Sequence, residues 1–336
     1  MIRDARVLRT DFVPREVEHR DHEVTHLSGV LRPLTDGEPA DTVIVTGPTG
    51  TGKTCVTRFV GDRLREETLD VAFQYVNCWR HYTFFRCAYA VLDGMNETMD
   101  VHRQSTPRDE LLARLEEYDG PPRVLVLDEV DQLEDLSLLY DLHSMPRFAL
   151  VLIANREAEL FGQIGERMTS RLRGSERIRF EKYTLDQLAA ILEARARSGL
   201  AEDAVGAAEL ERIADAAAGD ARVAISVLRS AARRADREGR DRITAEVVEA
   251  AIPDAREAVH RENLENLTRH QKILYDVVED AGEIAPQALY ERYEGRVDDA
   301  KADRTVRNYM QKMAHYDLIE IEGSTRDRVY RHPDAE

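Results

Sequence analysis

The chain has 336 residues, 43% of them hydrophobic, and a formal net charge of −17. That length allows two or three domains around a large core. No stretch approaches the roughly 18 consecutive apolar residues of a membrane helix. The start Met1-Ile2-Arg3-Asp4 has no apolar signal region, so a cytoplasmic protein is expected. Cys55, Cys78 and Cys87 show no CxxC spacing and read as reduced thiols. Lysine occurs only as Lys53, Lys182, Lys272, Lys301 and Lys312, and every other base is Arg. Many acids, few lysines and many small apolar residues point to a protein solvated by concentrated salt. In molar salt the Debye length falls to about 3 Å, which screens the self-repulsion. The competing reading is an ordinary acidic protein that does not touch nucleic acid.

The elements follow in chain order. Thr42–Thr46 is a short β-branched strand running into a glycine loop. Cys55–Glu66 continues as a helix with Val56, Phe59, Val60 and Leu64 on one face. Val71–Val76 is a second strand. Arg80–Leu92 and Arg108–Glu117 read as helices. Arg123–Leu127 and Phe148–Ala154 are wholly apolar, as strands buried on both faces of a parallel sheet are. Arg177–Phe180 is a short last strand. Strands alternating with helices predict a parallel α/β sheet with its ligand at the strands' carboxyl ends. After Tyr183 the pattern turns helical, over Leu185–Arg197, Ala207–Ala218, Ala221–Glu238 and Ala245–Glu262. No further strand is expected until Ile319–Glu322 and Arg328–Arg331, which would pair across Gly323-Ser324-Thr325. The unit at about 264–332 has the size of a winged helix.

Two motifs carry the chemistry. Gly47-Pro48-Thr49-Gly50-Thr51-Gly52-Lys53-Thr54 is a phosphate loop, and Cys55 follows it directly. Its glycines let backbone N–H groups turn toward phosphates at a helix N-terminus. Lys53 adds a point charge, and Thr54 offers a hydroxyl to Mg²⁺. Val124–Glu129 is an apolar strand that delivers two carboxylates. Asp128 is read as the Mg²⁺ ligand and Glu129 as the group that polarises the attacking water. Asp131 is read as a helix cap. ATP or ADP with Mg²⁺ is the expected ligand pair.

Asp128-Glu129-Val130-Asp131 resembles the AAA+ ATPases. That resemblance makes Asn155, at the end of Leu150–Asn155, a γ-phosphate sensor; the plainer reading is a turn cap. Gly219-Asp220-Ala221-Arg222 is similar to the AAA+ lid motif whose arginine reaches the γ-phosphate. Arg167 and Arg171 lie four apart, hence on one helix face. They resemble the segment that donates an arginine finger to a neighbouring subunit. Arg171 is preferred for that role, and a solvated basic face is the alternative.

The resemblance then narrows. Phe12-Val13-Pro14, His19-Arg20, Gly47–Thr54, Asn77-Cys78, Leu127–Asp131, Ile153–Arg156, Ser170-Arg171-Leu172 and Gly219–Arg222 occur in one order. With the terminal unit, the series is similar to the archaeal origin-recognition (Orc/Cdc-type) replication initiators, in an acidic, salt-adapted branch. The similarity spans about residues 8–332. It implies an α/β AAA+ domain at 1–183, a helical lid at 184–262 and a DNA-binding winged helix at 263–336. It implies that Val13 and Pro14 hold the adenine. It also implies origin binding in the ATP state, recruitment of the replicative helicase, and slow hydrolysis acting as a switch. Paralogous initiators, or a second copy in head-to-tail contact, are further expected partners.

Asp303–Tyr316 reads as the recognition helix. Val306, Met310 and Met313 form its apolar stripe. Arg304, Arg307, Asn308, Gln311 and His315 follow spacings of three and four, and suit groove entry. Arg326 and Arg328, with Ser324 and Thr325, sit in the expected wing. The family's helical insertion falls in 80–118, where His81, Arg86 and Arg103 are candidate DNA contacts. The acids Asp303 and Asp327 interrupt this basic set. Two other functions stay open. One is a paralogous DNA-binding regulator that loads no helicase; the other is an AAA+ protein of the clamp-loader kind.

Overall fold

The first unit opens with helix α1 (Asp21–Leu31), followed by strand β1 (Val43–Thr46) and, after the glycine loop, helix α2 (Lys53–Glu67). Strand β2 (Ala72–Asn77), helices α3 (Phe84–Asp93) and α4 (Arg108–Glu116) and strand β3 (Arg123–Asp128) come next. Helix α5 (Ser137–Ser144), strand β4 (Phe148–Ala154), helices α6 (Glu157–Gln163) and α7 (Glu166–Leu172) and strand β5 (Glu176–Arg179) complete the α/β part. The computed structural model describes residues 1–102, 106–323 and 327–333. The expected wing residues Ser324, Thr325 and Arg326, and the candidate contact Arg103, lie outside the described residues.

The five strands are parallel, in the order β2-β3-β4-β1-β5. β3 and β4 are buried along their whole length. Their side chains alternate between two cores, as the two-residue period requires. Val126 and Ile153 join Leu27 of α1 and Val56 and Val60 of α2 on one face. Leu125 and Leu152 join Cys87 of α3, Leu111 of α4 and Leu138 of α5 on the other. The position of β4 matters most. It separates β1, which feeds the glycine loop, from β3, which ends in the acids.

Four helices follow. They are α8 (Leu185–Gly199), α9 (Ala207–Ala216), α10 (Ala221–Arg237) and α11 (Ala245–Glu265). A capping box closes the start of α8, with Thr184 and Gln187 each accepting from the other's backbone N–H.

The chain divides into two compact units, Met1–Ile252 and Pro253–Glu336. The division falls within α11, at a proline that has no N–H to give the helix. The second unit contains helix α12 (Arg269–Ala281), strand β6 (Glu283–Ile284), helices α13 (Pro286–Glu294) and α14 (Asp303–His315), and strands β7 (Glu320–Glu322) and β8 (Val329–Arg331). Its sheet is antiparallel in the order β6-β8-β7. Tyr293 is fully buried; its hydroxyl accepts from Lys301 N–H at 3.0 Å and lies 2.6 Å from His270 Nδ1. No described helix is long and apolar enough to cross a membrane.

Several expectations need correction. The helix expected from Arg80 begins at Phe84, because Thr83 Oγ1 accepts from Arg86 N–H and caps it. A strand lies between Tyr183 and the end after all. β6 has two residues, too few to show a period. The last strand of the first unit is set one residue earlier than expected, at Glu176–Arg179. Asp131 does not cap a helix. It lies inside a one-turn 3-10 segment, Val130–Gln132, whose cap residue is Glu129.

The same substitution has opposite signs in two helices. Gly29 of α1 has open space where a Cβ would go, whereas a Cβ on Gly61 of α2 would overlap the Phe73 ring. Gly29→Ala is expected to stabilise by up to about 1 kcal/mol, from helix propensity alone. Gly61→Ala is expected to destabilise by about 1–3 kcal/mol through overpacking. Denaturant midpoints of the full chain in molar KCl check both.

Candidate functional site

The strand order sets the site. The ends of β1, β4 and β3 lie side by side, carrying the glycine loop, Asn155, and Asp128 with Glu129. Lys53, the first residue of α2, is buried. Its ammonium donates to Gly47 O at 2.6 Å, Pro48 O at 2.8 Å and Asn155 Oδ1 at 3.2 Å. Asn155 Nδ2 donates in turn to Glu129 Oε2 at 3.2 Å. Asn155 therefore joins the loop lysine to the second acid. Burial pushes the Lys53 pKa down, Glu129 and Asp128 pull it back, and Arg222 lowers it again.

Glu129 has φ 56, in the left-handed region that is costly for a residue with a Cβ. An extended strand would send residues 128 and 129 to opposite faces. The left-handed turn breaks that alternation and leaves both carboxylates near Lys53. Asp128 Oδ2 accepts from Thr54 Oγ1 at 2.7 Å and from Tyr75 Oη at 2.6 Å, and Oδ1 accepts from Glu129 N–H at 2.9 Å. Burial raises the Asp128 pKa and Glu129 adds to the rise. The Tyr75 and Thr54 hydrogen bonds, and Lys53, oppose it.

The residues present fit a nucleotide with Mg²⁺. The buried ammonium hydrogen-bonds neutral oxygens with two carboxylates nearby, a setting in which a phosphate would add direct charge pairing. Thr54 and Asp128 supply hard oxygen donors, the kind Mg²⁺ prefers. No group of three or more His, Cys, Asp or Glu side chains suited to a metal occurs among the described residues. An ion at Thr54 and Asp128 would therefore complete its shell from phosphate and water.

The lid helix α10 starts directly on the loop. Ala221 N–H donates to Gly50 O at 3.0 Å. Gly50 has φ +70, and a methyl group there would overlap the Asp220 carboxylate. Asp220 caps α10, accepting from Arg222 N–H at 2.7 Å and Val223 N–H at 3.2 Å. Gly52, at φ +92, leaves room for the Tyr183 hydroxyl, which a Cβ would approach to 2.6 Å. Arg222 thus sits at the first turn of a helix seated on the loop.

Two arginines fix the surroundings: Arg195, which sequence reasoning missed, and Arg20, which belongs to the His19-Arg20 pair of the motif series. Arg195 of α8 is buried and donates to Val7 O at 2.7 Å and Phe12 O at 2.9 Å, with its guanidinium over the Phe12 ring. This holds the segment leading into Val13 and Pro14 against the lid. Val13 packs on the core that contains Val56 and Val60. Burial pushes the Cys55 thiol up, against the pull of Arg195 and Arg58, so the thiol lies near both cations. Arg20 pairs with Glu23 at 2.8 Å, donates to Glu181 O at 2.6 Å and stacks on Tyr183 at 4.1 Å. It pins the start of α1 to the passage from β5 into the lid.

The remaining candidates of the first unit are on α7 and around α3. Arg167 and Arg171 are exposed on α7. Arg171 donates to Tyr140 Oη at 3.0 Å and lies over that ring at 4.2 Å. Arg86 is exposed with its guanidinium over Tyr82, and His81 is half-buried. In the second unit, Val306, Met310 and Met313 of α14 are buried. Arg304, Arg307 and Gln311 are exposed, while Asn308, His315 and Arg328 are half-buried.

Comparison with known proteins agrees with this geometry. A family model for an AAA domain matches residues 37–161, and one for a Cdc6 AAA+ ATPase-type lid domain matches residues 189–253. The Met1–Ile252 unit is therefore an AAA+ ATPase module, a nucleotide-binding sheet with a helical lid. ORC1-type DNA replication protein 9 of Halobacterium salinarum is 57% identical over 98% of this chain and 93% of its own length. Protein 1 of the same series and organism is 48% identical over 92% of this chain and 100% of its own length, and protein 8 is 28% identical. The structure of the Aeropyrum pernix ORC1 protein in complex with DNA aligns over 100% of this chain and 94% of that one, with a TM-score of 0.76 and 27% identity. The chain belongs to the ORC1-type family of DNA replication proteins. Its Halobacterium relatives accord with the salt-adapted composition.

The cap on α10 is testable by itself. Asp220→Ala should cost about 1–2 kcal/mol of stability, and Asp220→Asn should cost little, because Asn still accepts from the helix N–H groups. Denaturant midpoints of the two variants, measured side by side, check this.

Proposed function

We propose that the chain is an ATP-switched replication initiator. In this reading it binds origin DNA in its ATP state and helps recruit the replicative helicase, and slow hydrolysis ends that state. The observation that carries the reading is the seating of α10 on the phosphate loop, with Ala221 N–H on Gly50 O and Arg222 close enough to lower the Lys53 pKa. A γ-phosphate at Lys53 would meet the lid through Arg222 and the sheet through Asn155. Loss of that phosphate would release both.

The residues take these roles. Backbone N–H groups of Gly47–Thr54 and the Lys53 ammonium hold the phosphates. Val13 and Pro14, with Cys55 nearby, hold the adenine. Thr54 and Asp128 would hold Mg²⁺, which would supply neutralisation of phosphate charge. Glu129 takes the proton of the attacking water as the bond to the leaving ADP breaks. Asn155 aligns that carboxylate. Arg171, with Arg167 secondary, serves a neighbouring subunit's ATP.

The domain reading is an AAA+ part to residue 183, a lid to 262 and a winged helix beyond. Beyond α11 the element order of the second unit supports its last part, with α12, α13 and α14 beside a three-stranded antiparallel sheet among the described residues. In this reading α14 enters the major groove, where Arg304 and Arg307 suit guanine and Asn308 and Gln311 suit adenine. Arg328 reaches phosphates or the minor groove from the wing.

One observation favours a second reading. Three numbered ORC1-type proteins of one organism are among the relatives. A chain in such a series can be a paralogous regulator that binds DNA without loading helicase. Genome-wide occupancy separates the two. Peaks confined to replication origins support initiation, and peaks spread over promoters contradict it.

Two outcomes follow for the purified protein. Glu129→Gln should bind ATP normally and lose about 10²–10⁴ in turnover, as loss of a general base does. Unchanged turnover would remove Glu129 from the role. In molar salt, specific DNA binding should depend only weakly on salt, because counterion release has little left to give. A protein neutralising six phosphates would instead show a log–log slope of about −5. Such a slope persisting at working salt would contradict recognition by base edges and DNA shape.

A further inference from the structure

Asp128 is held by three donors from three places. Glu129 N–H takes Oδ1, while Thr54 of α2 and Tyr75 of β2 both donate to Oδ2, at 2.7 and 2.6 Å. Tyr75 is itself held. The Arg58 guanidinium lies 4.0 Å from the centre of its ring. Arg58 comes four residues after Thr54 on α2, so both project from one face of that helix. The phosphate-loop helix therefore reaches the carboxylate twice, directly through Thr54 and indirectly through Arg58 and the Tyr75 ring.

We propose that Tyr75 is a positioning residue for the carboxylate that takes the divalent cation. The inference rests on Asp128 being that carboxylate. Thr54 is needed by the cation as well, so it cannot serve Asp128 alone. Tyr75 is not itself called on by the cation: its hydroxyl holds Oδ2, with Asn77 as a further hydrogen-bond neighbour, and the Arg58 guanidinium covers its ring. Outer partners of this kind set the orientation of a metal-binding oxygen, and their loss weakens the metal by about 10–100-fold.

The test reads nucleotide affinity, not turnover. Binding of a fluorescent ADP is titrated against Mg²⁺ in molar KCl, with EDTA as the zero point. Wild type, Asp128→Asn, Tyr75→Phe and Arg58→Ala are compared as full chains. Asp128→Asn should abolish the gain in affinity that Mg²⁺ gives. Tyr75→Phe should keep the affinity seen in EDTA and need about tenfold more Mg²⁺ for half of the gain. Arg58→Ala, which spares the hydroxyl, should shift the same way by less, and it carries the test if Tyr75→Phe does not fold. Unchanged half-saturation in both variants overturns the proposal. Equal weakening with and without Mg²⁺ also overturns it, since that marks a general structural role. A Mg²⁺ gain that survives Asp128→Asn instead sinks the assignment of Asp128, separately from Tyr75.

Discussion

A buried cation organises this molecule. Lys53 is taken out of water at the start of α2, with carbonyls and one amide oxygen as its direct partners. A charge in that setting calls for a negative partner. Glu129 and Asp128 lie near enough to oppose the effect of burial. The strand order follows the same need. With β4 between β1 and β3, Asn155 touches the lysine with one amide atom and Glu129 with the other.

The lid depends on the same loop. α10 begins where the loop's glycine leaves space, and its cap residue fills that space. The N-terminal segment is drawn in by Arg195 of α8, and the start of α1 is tied by Arg20 to the passage from β5 to α8. A phosphate gained or lost at Lys53 then has several elements to act upon. This arrangement suits a switch, in which a small change in ligand shifts the balance between two states.

How much of this could be read from sequence follows from how local each feature is. The phosphate loop and the acid pair were legible because their chemistry demands particular residues at fixed short spacing. Asn155 was legible through the AAA+ resemblance, which points to the polar residue at the end of that apolar strand. Tyr75 was not, since its partner Asp128 lies 53 residues away. Arg195 was harder still, since it grips Val7 across 188 residues, and only the fold brings them together. The Glu129 turn was hidden because nothing in Asp128-Glu129-Val130 announces a left-handed residue. In the second unit the apolar stripe of α14 was plain, whereas β6 was too short to show any pattern.

In the proposed function the state of the Lys53 site governs DNA binding. The most direct measurement is the affinity of the full chain for duplex DNA from a replication origin, with Mg²⁺ and either ATP or ADP, in molar KCl. Coupled sites typically differ by about 5–150-fold between ligand states. Binding should be tighter with ATP by an amount in that range. Equal affinity in the two nucleotides would contradict it.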